Sequence, residues 1–327
     1  MQRLRHWLVA GCVVVAAAAT ACGGSSGGSS GPSGSVVDSI DALGSAGTLT
    51  TTVRLDATPA ALQAAAKASG STLDAATARA ITGASIVIET DKSGDSHNTD
   101  VRVVEGSNPL LELRTVNDTL YLQGDVQAIL TLFHKQALFA NIEAQTKSMP
   151  SFVQAVVNGQ WVSLPSAALS SLAQAGGSGT SGATSSGPKL LGELRDIVKK
   201  DVTVTAAGSD TRGDRYVLSA NESVLANDLR SAAVDAVPGG SLLGQRLPST
   251  SANRTIKLDA WVNDGSLAAV SLDLAQFDDS GKSTTPLPLT FTFERSGDAI
   301  SAPSGAVPVD LTQLGTLFGA LSGGSSA

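Results

Sequence analysis

The stretch RTIKLDAWVNDGSLAAVSLDL, Arg254 to Leu274, carries the strongest structural signal in the chain. Ile256, Leu258, Ala260 and Val262 fall on alternate positions, Asn263-Asp264-Gly265 interrupts them, and Val270, Leu272 and Leu274 resume the alternation. Apolar residues at period 2 mark strands with one buried face, and an Asp-Gly between two such runs is a hairpin turn. A third run, Leu289, Phe291 and Phe293, follows. Successive strands with short turns form an antiparallel meander, because parallel neighbours need crossovers of about a dozen residues or more.

Working back toward the amino terminus, the same alternation recurs at Leu49, Thr51, Val53 and Leu55, at Val101 and Val103, at Leu111 and Leu113, at Leu120 and Leu122, and at Val202 and Val204. Helical patterns are interspersed with these strands. Pro59 to Ala68 opens with proline at a first-turn position. Asp125 to Lys147 places Val126, Ile129, Leu130, Phe133, Leu138 and Ile142 on roughly one face. Ser166 to Ala175, Lys189 to Lys200, Ser223 to Ala236 and Leu311 to Leu321 complete the set. Strands and helices that do not alternate strictly give an α+β class, a large antiparallel sheet with helices against one side.

The first residues have a different character. Arg3 and Arg5 precede the apolar run Trp7 to Ala19, which gives way to Cys22 and then to Gly and Ser. The run is shorter than the roughly 20 apolar residues of a spanning helix, and residues 1–21 match the three zones of a signal peptide. Ala19-Thr20-Ala21-Cys22 resembles a lipobox, with Ala19 where leucine is usual; the resemblance implies diacylglycerol on the Cys22 sulfur and a membrane anchor on the extracytoplasmic face of the cell membrane. Residues 22–36 have the composition of a flexible tether, and residues 37–327 are expected to form a single domain containing a disordered loop near 176–187, GGSGTSGATSSG. The other cysteine, Cys12, lies within the signal-like stretch, so the expected mature domain has no internal disulfide. The net charge is −7, and it becomes −9 without Arg3 and Arg5. Such an acidic body argues against nucleic-acid partners and against electrostatic adhesion to anionic lipid.

Several segments resemble the LolA/LppX/LprG-type lipoproteins of bacterial envelopes: TLTTTVRLD (Thr48 to Asp56), LLELRTVNDTLYLQGD (Leu110 to Asp125), GQWVSLP (Gly159 to Pro165), Arg254 to Leu274, and PLTFTFERSGDAISAPSGAVPVDLTQL (Pro288 to Leu314). The last resembles that family's closing segment most closely. The Gly176 to Gly187 insertion and the Ala-rich Ala60 to Ala80 region depart from the pattern. The resemblance implies a curved half-barrel sheet whose concave face is covered by helices, with a cavity between them that binds or transfers lipid or acylated glycolipid. Its candidate wall residues are Val101, Val103, Leu111, Leu113, Leu120, Leu122, Leu258, Leu272, Phe291 and Phe293. The same residues would equally suit a filled core, and a one-residue change of register would swap every one of them to the other face. The competing expectation is a cell-surface interaction or structural lipoprotein that holds no ligand.

Chemistry-bearing constellations are sparse, and neither enzyme activity nor a cofactor is expected. His97 with Asp91, Asp95 and Asp100 has the composition of a solvated hairpin loop as much as of a cation site, and His134 falls on the surface of a helix. Asp273, Asp278 and Asp279 run into a polar turn. The G-x-S-x-G match at Gly23 to Gly27 and the G-x-G-x-x-G match at Gly177 to Gly182 lie in low-complexity sequence without the preceding strand that such motifs need. Trp161 and Trp261 each read as packing residues or as cavity walls.

Overall fold

The computed structural model describes residues 31–93, 96–165, 195–236, 253–277, 285–295, 297–310 and 312–313. Its centre is one twelve-stranded sheet in the order β12-β6-β5-β4-β3-β2-β1-β11-β10-β9-β8-β7. The strands are β1 (Thr48–Leu55), β2 (Ala84–Ser93), β3 (Ser96–Glu105), β4 (Asn108–Val116), β5 (Thr119–Gly124), β6 (Val162–Pro165), β7 (Val202–Asp210), β8 (Gly213–Asn221), β9 (Thr255–Asn263), β10 (Ser266–Asp273), β11 (Pro288–Glu294) and β12 (Val307–Pro308). Every pairing is antiparallel except β12 with β6. The sheet is curved and unclosed, an α+β half-barrel with helices on its concave face.

Local chemistry accounts for the meander. Asp264 and Gly265 both take positive φ, at 49° and 72°, and close a two-residue turn between β9 and β10 with Asn263 opposite Ser266. Gly supplies that conformation without strain, and Asp tolerates it.

Seven helices are bounded among the described residues: α1 (Pro32–Gly44), α2 (Pro59–Ala68), α3 (Ala75–Gly83), α4 (Val126–Leu132), α5 (Ala137–Thr146), α6 (Ser151–Val157) and α7 (Glu222–Ala236). Residues 195–201 are also helical. Side-chain caps fix four starts: Thr58 accepts from the Ala61 N–H, Asp74 from Thr77, Asp125 from Ala128, and Asn221 from Ser223 and Val224.

Two expectations about helices need correction. α1 begins inside the stretch read as tether, because Pro32 suits a first turn and Val36, Ile40 and Leu43 form an apolar stripe that packs on the sheet. The single helix expected over Asp125 to Lys147 is broken in two at Phe133 to Gln136. His134 takes φ +54° there, and the turn directs α5 onto α6. The signal-like residues 1–21, Cys22, the segments Ser166 to Ala175 and Gly176 to Gly187, and most of Leu311 to Leu321 lie outside the described residues.

Candidate functional site

Register resolves which face the alternating aliphatics occupy. Val53 stands opposite Phe291 and Ile86; Ile86 opposite Val103; Val103 opposite Leu111. Ile88 stands opposite Val101, Val101 opposite Leu113, Leu113 opposite Leu122, and Leu122 opposite Val162. Thr51 is opposite both Ile88 and Phe293, and Thr115 is opposite Leu120. On the other side Phe291 faces Val270, Leu289 faces Leu272, and Leu272 faces Leu258. Directly opposed residues share a face, so every candidate wall residue named from the sequence lies on one side of the sheet. That side carries the helices: α2 and α7 pack on Val53, Ile256, Leu289 and Phe291, α1 on Leu49, Ala260 and Val262, and α6 on Val162 and Leu122.

Along this one face the packing is uneven. Leu49, Val53, Ile256, Ala260, Leu289 and Phe291 are buried, with Leu258, Leu272 and Phe293 half-exposed between them. On β3, β4 and β5 none of Val101, Val103, Leu111, Leu113, Leu120 and Leu122 is buried; all are half-exposed. The helix above them explains this: α4 packs on β4 yet has no buried residue, and the buried residue of α5 is Thr146.

The opposite face of the same strands shows the reverse. Asn98, Asp100 and Glu112 are buried there, with Asp100 only 3% exposed. Arg114 Nη2 donates to Asp100 Oδ2 at 3.1 Å and to Glu112 Oε1 at 2.5 Å, while Arg102 pairs with Glu89. The cover is the segment 297–309. The Ile300 N–H donates to Asp91 Oδ2 at 3.1 Å, Asn98 Nδ2 donates to the Ile300 carbonyl at 3.2 Å, and Arg114 Nη1 donates to the Ser301 carbonyl at 2.9 Å. The segment then pairs with β6 through Val307 and Pro308. Three carboxylates, Glu89, Asp100 and Glu112, thus meet two guanidiniums, Arg102 and Arg114. Burial, and next the Glu112 carboxylate, push the Asp100 carboxyl up to about 6 against the opposing pull of Arg114 and Arg102.

The solvated-loop expectation therefore fails for Asp91 and Asp100, which are buried beneath a segment about two hundred residues away in sequence. Asp95 and the side chain of His97 lie outside what is described, and no group of three His, Cys, Asp or Glu among the described residues is placed to hold a metal ion. Asp273 does not dangle in a turn: its Oδ1 accepts from the Ala275 and Leu287 N–H groups at 2.9 and 2.8 Å, while Asp278 and Asp279 lie outside the described residues. Trp261 is on the convex side, buried under the Arg212 guanidinium at 3.6 Å, with its indole N–H on Asp210 at 2.9 Å. The Arg212 hydrogen bond holds Asp210 down to about 2. Trp161 lies 5.2 Å beneath Arg114. Both indoles are thus partners of arginine and do not line the concave face.

Comparisons with known proteins complete the description. No family model matches the chain, and no curated protein matches it. Among solved structures, the crystal structure of the Mycobacterium tuberculosis lipoprotein LppX superposes with a TM-score of 0.35 at 9% identity, covering 83% of this chain and 97% of that one.

Proposed function

We propose that this chain is an extracytoplasmic carrier, anchored through an acylated Cys22, that takes the acyl chains of a lipid or acylated glycolipid against the concave face of β3 to β5. The observation that carries this reading is the inverted burial on those strands, where aliphatic side chains stay half-exposed while acids on the reverse side are buried. Leaving contiguous apolar surface in contact with water is unfavourable, and each CH₂ withdrawn from water gains about 0.8 kcal/mol. A flexible acyl chain laid along Val101, Val103, Leu111, Leu113, Leu120 and Leu122 would recover that energy without displacing a packed core. Sites of this kind are concave, mostly apolar and largely pre-formed.

The test is to produce the chain with Cys22→Ser, so that no acyl group is attached covalently, and to extract it for lipid mass spectrometry. Acyl lipid in near-stoichiometric amount is expected, and Leu113→Asp should lower its retention about tenfold or more, because a carboxylate in the strip would have to be desolvated. Absence of lipid, together with displacement of no fluorescent fatty acid, would reject the carrier; crosslinking to an envelope protein in that case would assign a surface-interaction role.

A further inference from the structure

We infer that the segment 297–309 is a latch: it holds α6 against the rim of the acyl strip while the acids beneath it share a proton, and it loosens when they are all ionised. The purpose of the latch rests on the carrier reading, but its opening is measured without lipid.

The segment joins the two faces of the sheet. Its first half lies on the convex side, where the Ile300 N–H reaches Asp91, the Ile300 carbonyl receives Asn98 Nδ2, and the Ser301 carbonyl receives Arg114 Nη1. Its second half caps the outer edge of β6: the Val307 N–H donates to the Trp161 carbonyl at 2.8 Å and the Val309 N–H to the Ser163 carbonyl at 2.9 Å. Val307 and Val309 then pack with Phe152 and Ala155 of α6, with Val162, and with Leu122 of the half-exposed strip. One continuous segment therefore ties the buried acids to the helix that covers β5. Arg114 strengthens the tie, because its guanidinium also lies over Trp161, whose carbonyl holds Val307.

The convex attachment is made where full ionisation is least favourable. Register sets Glu89 opposite Asp100, Asp100 opposite Arg114, Arg102 opposite Glu112, and Asp91 opposite Asn98. Four carboxylates thus share two guanidiniums. The groups around them add no compensating charge. Tyr121 of β5 stands opposite Arg114, and Arg54 of β1 is held by Asp56 at 2.6 Å. Glu294 and Arg295 at the end of β11, and Asp298 on the segment, are exposed. Lys92 points to the other face, where its Nζ donates to the Gly44 carbonyl at 2.7 Å.

Asp100 Oδ1 is buried and finds no hydrogen-bond partner among the described residues. A buried carboxylate without full compensation is unfavourable, and a proton removes the penalty. Asp100 is the group that takes it, since burial and then the Glu112 carboxylate raise its carboxyl to about 6. Lifting the segment admits water to the cluster and returns Asp100 toward the ordinary aspartate value near 4, so ionisation favours the lifted state. Closure is then firmest below about 4, weakens as pH rises to about 6, and changes little above.

The test is hydrogen exchange of the chain with Cys22→Ser at about pH 5 and about pH 7.5, with each rate divided by the intrinsic rate of the same amide at that pH. Peptides spanning 297–310 and 151–159 should exchange together and ahead of those of β9 to β11, and should lose about tenfold in protection at the higher pH. Asp100→Asn keeps the shape without the titration and should hold both peptides at about pH 7.5 as firmly as the parent does at about pH 5. Glu112→Gln should act in the same direction, so a variant that fails to fold leaves the other to decide. The latch is overturned by protection that is equal at both pH values, by a pH effect that survives the substitutions, or by opening of 297–310 that leaves 151–159 protected. Exchange of 297–310 only in step with β9 to β11 would overturn it as well. A latch that opens in a chain holding no lipid would remove the carrier and keep the latch. Lipid held by a chain whose protection ignores pH would do the opposite.

Discussion

The two halves of the sheet carry the same apolar alternation and use it differently. From β8 through β1 the concave face is the better packed: Ile256, Ala260, Leu289, Phe291 and Val53 are buried against Val36 and Leu43 of α1, Leu62 of α2 and Ala226 of α7, with Leu258, Val270, Leu272 and Phe293 half-exposed among them. Across β3 and β4 the same face is approached by α4, which buries no residue, while α6 packs on β5, and the aliphatics of all three strands remain half-exposed. Alternation in a strand reports which side is apolar; whether that side becomes core or binding surface depends on how deeply the covering helices bury their own apolar side chains. One half contributes more to stability than the other.

The largest effect that separates them is a truncation on each side. Phe291→Ala should cost about 4 kcal/mol, since the ring is enclosed and its removal leaves a cavity. Leu113→Ala should cost about 1 kcal/mol or less, because the side chain is already partly in water and loses only part of its transfer free energy. Urea unfolding of both variants checks the pair. Equal costs would mean that the β3 to β5 face is as well packed as the rest, and the comparison would collapse.

A second effect belongs to the reverse side of the open half. The Asp100 carboxyl, raised to about 6 by burial and by Glu112, holds its proton in the folded protein at pH values where the unfolded chain has released it. Folding is therefore most favoured below the unfolded value near 4, loses stability as pH rises from there to about 6, and levels off above, the total being of the order of 3 kcal/mol. Asp100→Asn should flatten this slope and leave the protein at pH 7 at least as stable as its parent, with Arg114 still held by Glu112 and the Ser301 carbonyl. Unfolding titrations of both proteins across that window are the measurement; a slope of the same size in the variant would place the titrating group elsewhere.

The sheet was legible because its signals are local. The Asp264-Gly265 turn and the alternation from Leu49 to Phe293 marked the strands, whereas the common face of the candidate wall residues emerges only from the register. What stayed hidden depends on distant or subtle terms. The strands β2 and β8 were missed because Ile86 and Ile88, and Leu218 and Ala220, are short runs among polar residues. Asp91 and Asp100 read as part of a solvated hairpin loop, since nothing local announces that the segment 297–309 returns to cover them. The corner after α4 contains neither Gly nor Pro, so the long amphipathic pattern read straight through it.

That corner gives the smallest and most local test of the comparison. His134 takes a left-handed conformation that costs a residue with a Cβ roughly 1 kcal/mol and glycine almost nothing, so His134→Gly relieves strain in the folded state while adding freedom to the unfolded chain. The net should be a few tenths of a kcal/mol in global stability. If the open half loosens independently, amides of α4 and α5 exchange with deuterium through local openings well before those of β9 to β11, and the substitution should slow exchange in α4 and α5 alone. Protection that changes equally in both halves would show one cooperative unit, and the filled and open regions would then share their fate on unfolding.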